Sequence, residues 1–238
     1  IEIMKQYINN KNLILWCLAL VLFATSCRQP VVPTEEDLAG YGWVLYEEGK
    51  YDEAREWFFD AVYKDAFYAD GFNGLGWCFG KLRQADSAMA YFTDAQSKSY
   101  DPYDTPNLKL DLFAGLVFSY SGMNLDSNVV MNADSLFFYT DNPDVGSWYF
   151  SHDNKINHLD VRLERALALF NLGLSNDPDN PYENFLKCRN ELQYIYNDQY
   201  FRDSGNAGAQ LSDNVQEVSV RMDLANRMEQ LQQILKNI

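Results

Sequence analysis

Histidine is nearly absent from this chain: two residues, His152 and His158, in 238. Their spacing matches no metal-ligand pattern, so no metal site is assigned, and both are read as surface-loop residues. There is no Gly-rich phosphate loop, no nucleophile elbow and no zinc motif. Catalysis and cofactor binding therefore find no support in the residues, and the chain is read as non-enzymatic with no cofactor. Basic residues are also scarce. Nineteen Lys and Arg face 34 Asp and Glu, for a net charge of −15. Such a chain repels phosphate backbones, which excludes nucleic acid as a partner and disfavours a peripheral hold on anionic headgroups. The acids are scattered, as on solvated helix faces, and form no catalytic pair. No apolar run reaches the roughly 20 residues of a membrane span. Leu13–Phe23 stops at 11.

What is present is a repeat. Gly42-Trp43 returns as Gly76-Trp77, Ala54 as Ala88, Phe58 as Phe92 and Ala61 as Ala95, each 34 residues on. A fixed period of this length, carried by small and aromatic residues, signals stacked helix pairs. Leu38, Tyr41, Gly42 and Leu45 line one helical face, and Ala54, Phe58 and Ala61 another. The small residues let two helices approach closely. Gly49 lies between them, where a positive φ can end the first.

The pattern resembles the tetratricopeptide repeat (TPR) family. Its signature is met by Leu38, Tyr41-Gly42, Leu45, Gly49, Tyr51, Ala54, Phe58 and Ala61, then by Phe72, Leu75-Gly76, Phe79, Ala88, Phe92 and Ala95. Arg83 and Ala85 depart from it, standing where the family has Gly and a Tyr-like residue. The resemblance implies an all-α, TPR-like solenoid of about three to four helix pairs, because a repeat unit buries its apolar face only against its neighbours.

Taken in order, residues 1–27 read as an export signal. Lys5 and Lys11 precede the apolar run, and Ala24-Thr25-Ser26-Cys27 closes it. Small residues before a cysteine resemble the bacterial lipobox, although Ala24 stands where Leu is commoner. The resemblance implies cleavage before Cys27 and lipidation of its sulfur, hence a membrane anchor in the cell envelope. Arg28, in place of an inner-membrane-retaining Asp, leans toward the outer membrane. The alternative is ordinary export with Cys27 incidental. Residues 28–34, with Pro30 and Pro33, read as a tether, and 35–238 as the solenoid domain. Thr34-Glu35-Glu36-Asp37 is a good helix start.

A third pair is expected from Leu108–Ser121 and the helix holding Ala133 and Phe137, with a six-residue insertion near Gly122–Val129. Tyr139–Lys155 reads as a loop whose Trp148-Tyr149-Phe150 cluster either folds back onto a helix or protrudes to bind. Ile156–Leu172 and Tyr182–Asn197 form a degenerate fourth pair. Asp198–Gln210 reads as a flexible loop. Ser212–Asn237 is the longest helix, and it either caps the array or joins two copies into a homodimer through 212–237. Cys78 and Cys188 sit in distant repeats and are expected as free buried thiols.

TPR family members touch ligand peptides from inward-facing positions of their first helices. Carried over, these are Glu36, Ala39, Trp43, Tyr46 and Glu47, then Asp70, Asn73, Trp77, Gly80 and Lys81, and in the third pair Leu112, Leu116, Ser119 and Tyr120. Trp43, Tyr46, Asn73, Trp77, Lys81 and Tyr120 are the candidate partner-binding residues. Tryptophan is enriched at binding hot spots. Equally, both indoles could pack against a helix, or a loop of the chain itself could fill the groove. The functional expectation is a membrane-anchored scaffold for a protein or peptide partner in an envelope assembly, secretion or pilus-type machine. The alternative is an envelope module that binds a small ligand or glycan on groove aromatics.

Overall fold

A computed structural model describes residues 32–99, 107–140, 147–175 and 182–237. The export signal 1–27, the Cys27 lipidation site and most of the tether lie outside them. The ten helices described are α1 Glu35–Glu47, α2 Tyr51–Lys64, α3 Ala69–Lys81, α4 Ala85–Gln96, α5 Leu108–Gly122, α6 Asp126–Thr140, α7 His158–Leu174, α8 Glu183–Asn197, α9 Gln199–Asp203 and α10 Val218–Leu235. From α1 to α9 each packs against its neighbours in sequence, as in a helical solenoid, and α10 packs back on α7 and α8. Among the described residues there is no strand, only an isolated bridge between Tyr149 and Asn157. No described helix is long and apolar enough to cross a membrane.

The chain begins as its first turn dictates. Thr34 Oγ1 accepts the Asp37 N–H, and Asp37 Oδ2 accepts the Thr34 N–H, a capping box that satisfies two end groups of α1. Three helix pairs then turn in one way. Gly49, Arg83 and Asn124 take φ of 78°, 60° and 56°. The next residue in each turn donates five residues back, Lys50 to Leu45, Gln84 to Phe79 and Leu125 to Tyr120, all at 2.9 Å. These are Schellman turns, which need a left-handed residue.

Aromatic rings set in glycine notches join successive pairs. Phe58 is fully buried, and a Cβ on Gly42 of its own pair would lie 3.0 Å from its ring, one on Gly74 of the next pair 2.3 Å. Phe92 fills the same place between Gly76 and Gly115, at 2.5 and 2.3 Å.

This register corrects the expected insertion in the third pair. Gly115 is the counterpart of Gly74, not of Gly76, because each lies nine residues before its left-handed turn residue. The counterparts of Gly76 and Phe92 are Val117 and Ala133, both fully buried. Large and small have exchanged places, which disguised the register. The α5–α6 turn is as short as the others, and the surplus residues lie before α5.

The remaining helices close the stack. Asn157 caps α7 with a second capping box. Glu191 on α8 accepts from Arg162 and Arg165 of α7, and Arg165 also reaches Asp134 on α6. Leu224, Met228, Leu231 and Leu235 of α10 are buried, and the helix packs on α7 and α8. Of the apolar stripe expected either to cap or to dimerise, Met228, Leu231 and Leu235 are thus used within the chain, while Val218 and Met222 face solvent. The helix is also shorter than expected, starting at Val218. Residues 205–217 are held to α8: Gln193 donates to the Ala209 carbonyl and accepts the Leu211 N–H. The segment expected to be a flexible loop from Asp198 instead holds α9, with Phe201 fully buried.

Candidate partner groove

First helices α1, α3, α5 and α7 stand side by side. Period-34 spacing brings Trp43 on α1 and Trp77 on α3 to the same face. Both are buried, as are Tyr46 and Asn73. What buries the two indoles is the chain itself. Residues 148–158 form a small hairpin-like turn, closed by the Phe150 N–H to the Ile156 carbonyl and the His158 N–H to the Trp148 carbonyl, both 2.9 Å.

Trp148 and Phe150 point into the groove from the segment's short extended arm, and His152 from the turn that follows, which the Asp153 N–H closes on the Phe150 carbonyl at 3.2 Å. Trp148 is buried and donates its indole N–H to Asp111 Oδ1 on α5 at 2.8 Å. Tyr149 faces solvent. Phe150 is fully buried, stacked on Trp77 at 4.0 Å between centroids and edge-on to Trp43 and Tyr46 at 6.0 Å. His152 stacks flat on Trp43 at 3.9 Å and meets Glu47 Oε1 at 2.8 Å. Lys81 pairs with Asp153 at 2.6 Å and is half-buried. The segment thus touches α1, α3 and α5, and the cluster folds back rather than protruding.

The candidate residues therefore fall into two groups. Trp43, Tyr46, Trp77 and Lys81 make one ring-lined floor with a cation at its edge. Asn73 is buried beneath it and donates to Asp70. Tyr120 stands apart: the corrected register aligns it with Leu45 and Phe79, and it packs against the core. The counterparts of Asp70 and Trp77 on α5 are Asp111 and Phe118. No pattern in the sequence marked Asp111, because the shifted register hid it.

Burial governs the ionisable groups. It raises Asp111 to about 8, with the charge of Asp70 adding and the Trp148 N–H opposing. It pushes the Tyr46 hydroxyl far up, and that oxygen has no hydrogen-bond partner among the described residues. Burial also lowers His158, against the pull of Asp198 at 3.2 Å. Of the two histidines expected in a surface loop, His152 lies in the loop, partly exposed and stacked on an indole, whereas His158 is buried at the start of α7. Cys78 and Cys188 are free and buried, each thiol pushed up to about 12, which makes them inert at neutral pH.

A cavity of about 640 Å³ opens beside the hairpin, lined in part by Trp77, Phe118, Ile156, Leu163, Asp160 and Glu164. Burial raises both acids, Asp160 to about 6. Among the described residues no three His, Cys, Asp or Glu side chains gather as a metal site would need. The chain matches no protein-family model, no curated protein and no solved structure.

Proposed function

We propose that this chain is a TPR-like scaffold of the bacterial envelope, lipid-anchored through Cys27, that binds a protein or peptide partner and catalyses nothing. One observation carries the reading: the groove holds a hairpin-like peptide segment now. Phe150 sits in a cage of Trp43, Tyr46 and Trp77, with Asp153 on Lys81 at the rim. A surface that grips an aromatic turn in cis has the shape and chemistry to grip one in trans. The hairpin is held by ring contacts and a few polar bonds, not by a helix or a disulfide. Each buried ring contributes roughly 1.5–3 kcal/mol, comparable to what a partner ring would supply.

The reading is tested by affinity capture from solubilised envelope with the chain and its Phe150→Ala variant. A defined protein retained more strongly by the variant supports it. Retention of none by either sinks it. For the anchor, Cys27→Ser should release the protein from the membrane fraction and abolish incorporation of labelled palmitate. A second reading, a small-ligand or glycan module, is favoured by the cavity beside Trp77. Quenching of indole fluorescence by a soluble sugar, with no protein captured, would select it.

A further inference from the structure

The repeat pairs each groove tryptophan with an acid on the next first helix, and it does so once fully and once not. Asp70 and Asp111 each lie 13 residues before their left-handed turn residues, Arg83 and Asn124. Trp43 and Trp77 each lie six residues before theirs, Gly49 and Arg83. Trp43 Nε1–H donates to Asp70 Oδ2 at 2.8 Å, from α1 to α3. By the same step Trp77 Nε1–H should donate from α3 to Asp111 on α5. It does not. Asp111 Oδ1 instead accepts from Trp148 of the hairpin at 2.8 Å. Trp77 is left buried with its indole N–H unpaired among the described residues.

An unpaired buried donor is destabilising, so the hairpin is docked against a standing penalty. Removing it would free Asp111 for the bond that the repeat already makes one step earlier. What removal would not repair is the ring cage, which would face water. An occupant must therefore bring aromatic rings of its own.

We propose that the hairpin is an exchangeable occupant: when it leaves, Trp77 takes Asp111 as its acceptor, and the vacated cage receives in trans a turn-forming segment with aromatic rings two residues apart and, beside the second, a carboxylate for Lys81. This rests on the scaffold reading and names the partner's chemistry. The hairpin is the template, with Phe150 and His152 two apart and Asp153 following. The partner needs no indole of its own, because Asp111 is then served by Trp77.

Two measurements on the full chain test this. The first is the indole N–H resonance of Trp77, assigned with Trp77→Phe, in the wild type and in Trp148→Phe. That variant keeps a ring in place and removes only the competing N–H. The resonance should move downfield in Trp148→Phe and return when Asp111→Ala is added. The second is binding of a labelled synthetic peptide with the sequence of residues 147–157. It should bind Trp148→Ala/Phe150→Ala about a hundredfold more tightly than the wild type. A peptide with Ala at the position of Phe150 should lose that gain. Should the double variant fail to fold, Phe150→Ala alone takes its place.

An unmoved Trp77 resonance in Trp148→Phe overturns the exchange. A moved resonance with no peptide binding overturns the trans occupant. Capture of an envelope protein that the peptide cannot displace leaves the scaffold standing and overturns an aromatic, carboxylate-bearing turn as the partner's chemistry.

Discussion

Asp111→Asn should stabilise this protein at pH 7.5 far more than at pH 4.5. The Asp111 carboxyl is buried against the hairpin, and its pKa rises to about 8 from 3.8. A carboxyl whose folded value lies above its unfolded one keeps its proton in the folded state when the unfolded chain has lost it. Between about pH 4 and 8 the folded state binds more protons, so stability falls as pH rises through that window. Each unit corresponds to 1.36 kcal/mol. Three units, from pH 4.5 to 7.5, set a ceiling of about 4 kcal/mol. Asparagine cannot ionise, and its carbonyl oxygen can still accept the Trp148 N–H. The variant therefore keeps the hydrogen bond and removes the pH dependence. Urea unfolding followed by tryptophan fluorescence at both pH values measures it. The rest of the chain titrates alike in both proteins, so only the difference between their pH slopes counts. A difference under about 1 kcal/mol over the window would refute the claim that this acid is buried and neutral at pH 7.

Other substitutions probe the stack. Gly40 and Gly74 hold the same repeat position, but a Cβ on Gly40 meets nothing within 4 Å while one on Gly74 would lie 2.3 Å from the Phe58 ring. Gly40→Ala should raise the unfolding midpoint by up to about 1 kcal/mol of helix propensity, and Gly74→Ala should lower it by roughly 1–3 kcal/mol of overpacking; urea titration reads both. Arg83→Gly should stabilise by up to about 1 kcal/mol by relieving a left-handed side chain, and Gly49→Ala should cost about 1–2 kcal/mol for the opposite reason. Glu191→Ala would leave Arg162 and Arg165 without their shared carboxylate and should cost about 3–5 kcal/mol; thermal unfolding of that variant above the wild-type midpoint would contradict the role of this cluster.

The first two helix pairs were legible because every position that mattered was distinctive. Glycine, tryptophan, alanine and phenylalanine recur at identical offsets, and each does a job that few residues can do. The third pair was found but misaligned, for a definite reason. Its buried pair conserves volume while exchanging sides, Val117 for a glycine and Ala133 for a phenylalanine. A pattern of residue types cannot see a conserved sum of volumes. The nearest small and aromatic residues, Gly115 and Phe137, drew the alignment to themselves and produced an insertion that is not there. The same slip hid Asp111 and promoted Tyr120. Loops proved harder still. Asp198–Gln210 reads as flexible from Gly205-Asn206-Ala207-Gly208, yet one side-chain amide, that of Gln193, holds the Ala209 and Leu211 backbone to α8. A tertiary bond of that kind leaves no local signature. The hairpin was legible only as an apolar cluster with two possible fates.

That hairpin bears directly on how a partner competes for the groove. A segment tethered beside its own binding site acts at an effective concentration on the order of millimolar. An untethered segment with the same contacts, present at micromolar concentration, faces about a thousandfold handicap, or roughly 4 kcal/mol in occupancy at 1.4 kcal/mol per decade. A partner overcomes this by making contacts that the hairpin does not make, or because the hairpin is held less well than its contacts suggest. The structure bears on the second: with Trp148 on Asp111 Oδ1, the Trp77 N–H has no acceptor among the described residues. A penalty of about 1–3 kcal/mol for that donor is of the same order as the tether's advantage. If the proposed exchange holds, the unpaired indole is what brings a trans occupant within range, and Asp111 is the residue through which the balance between the two occupants is set.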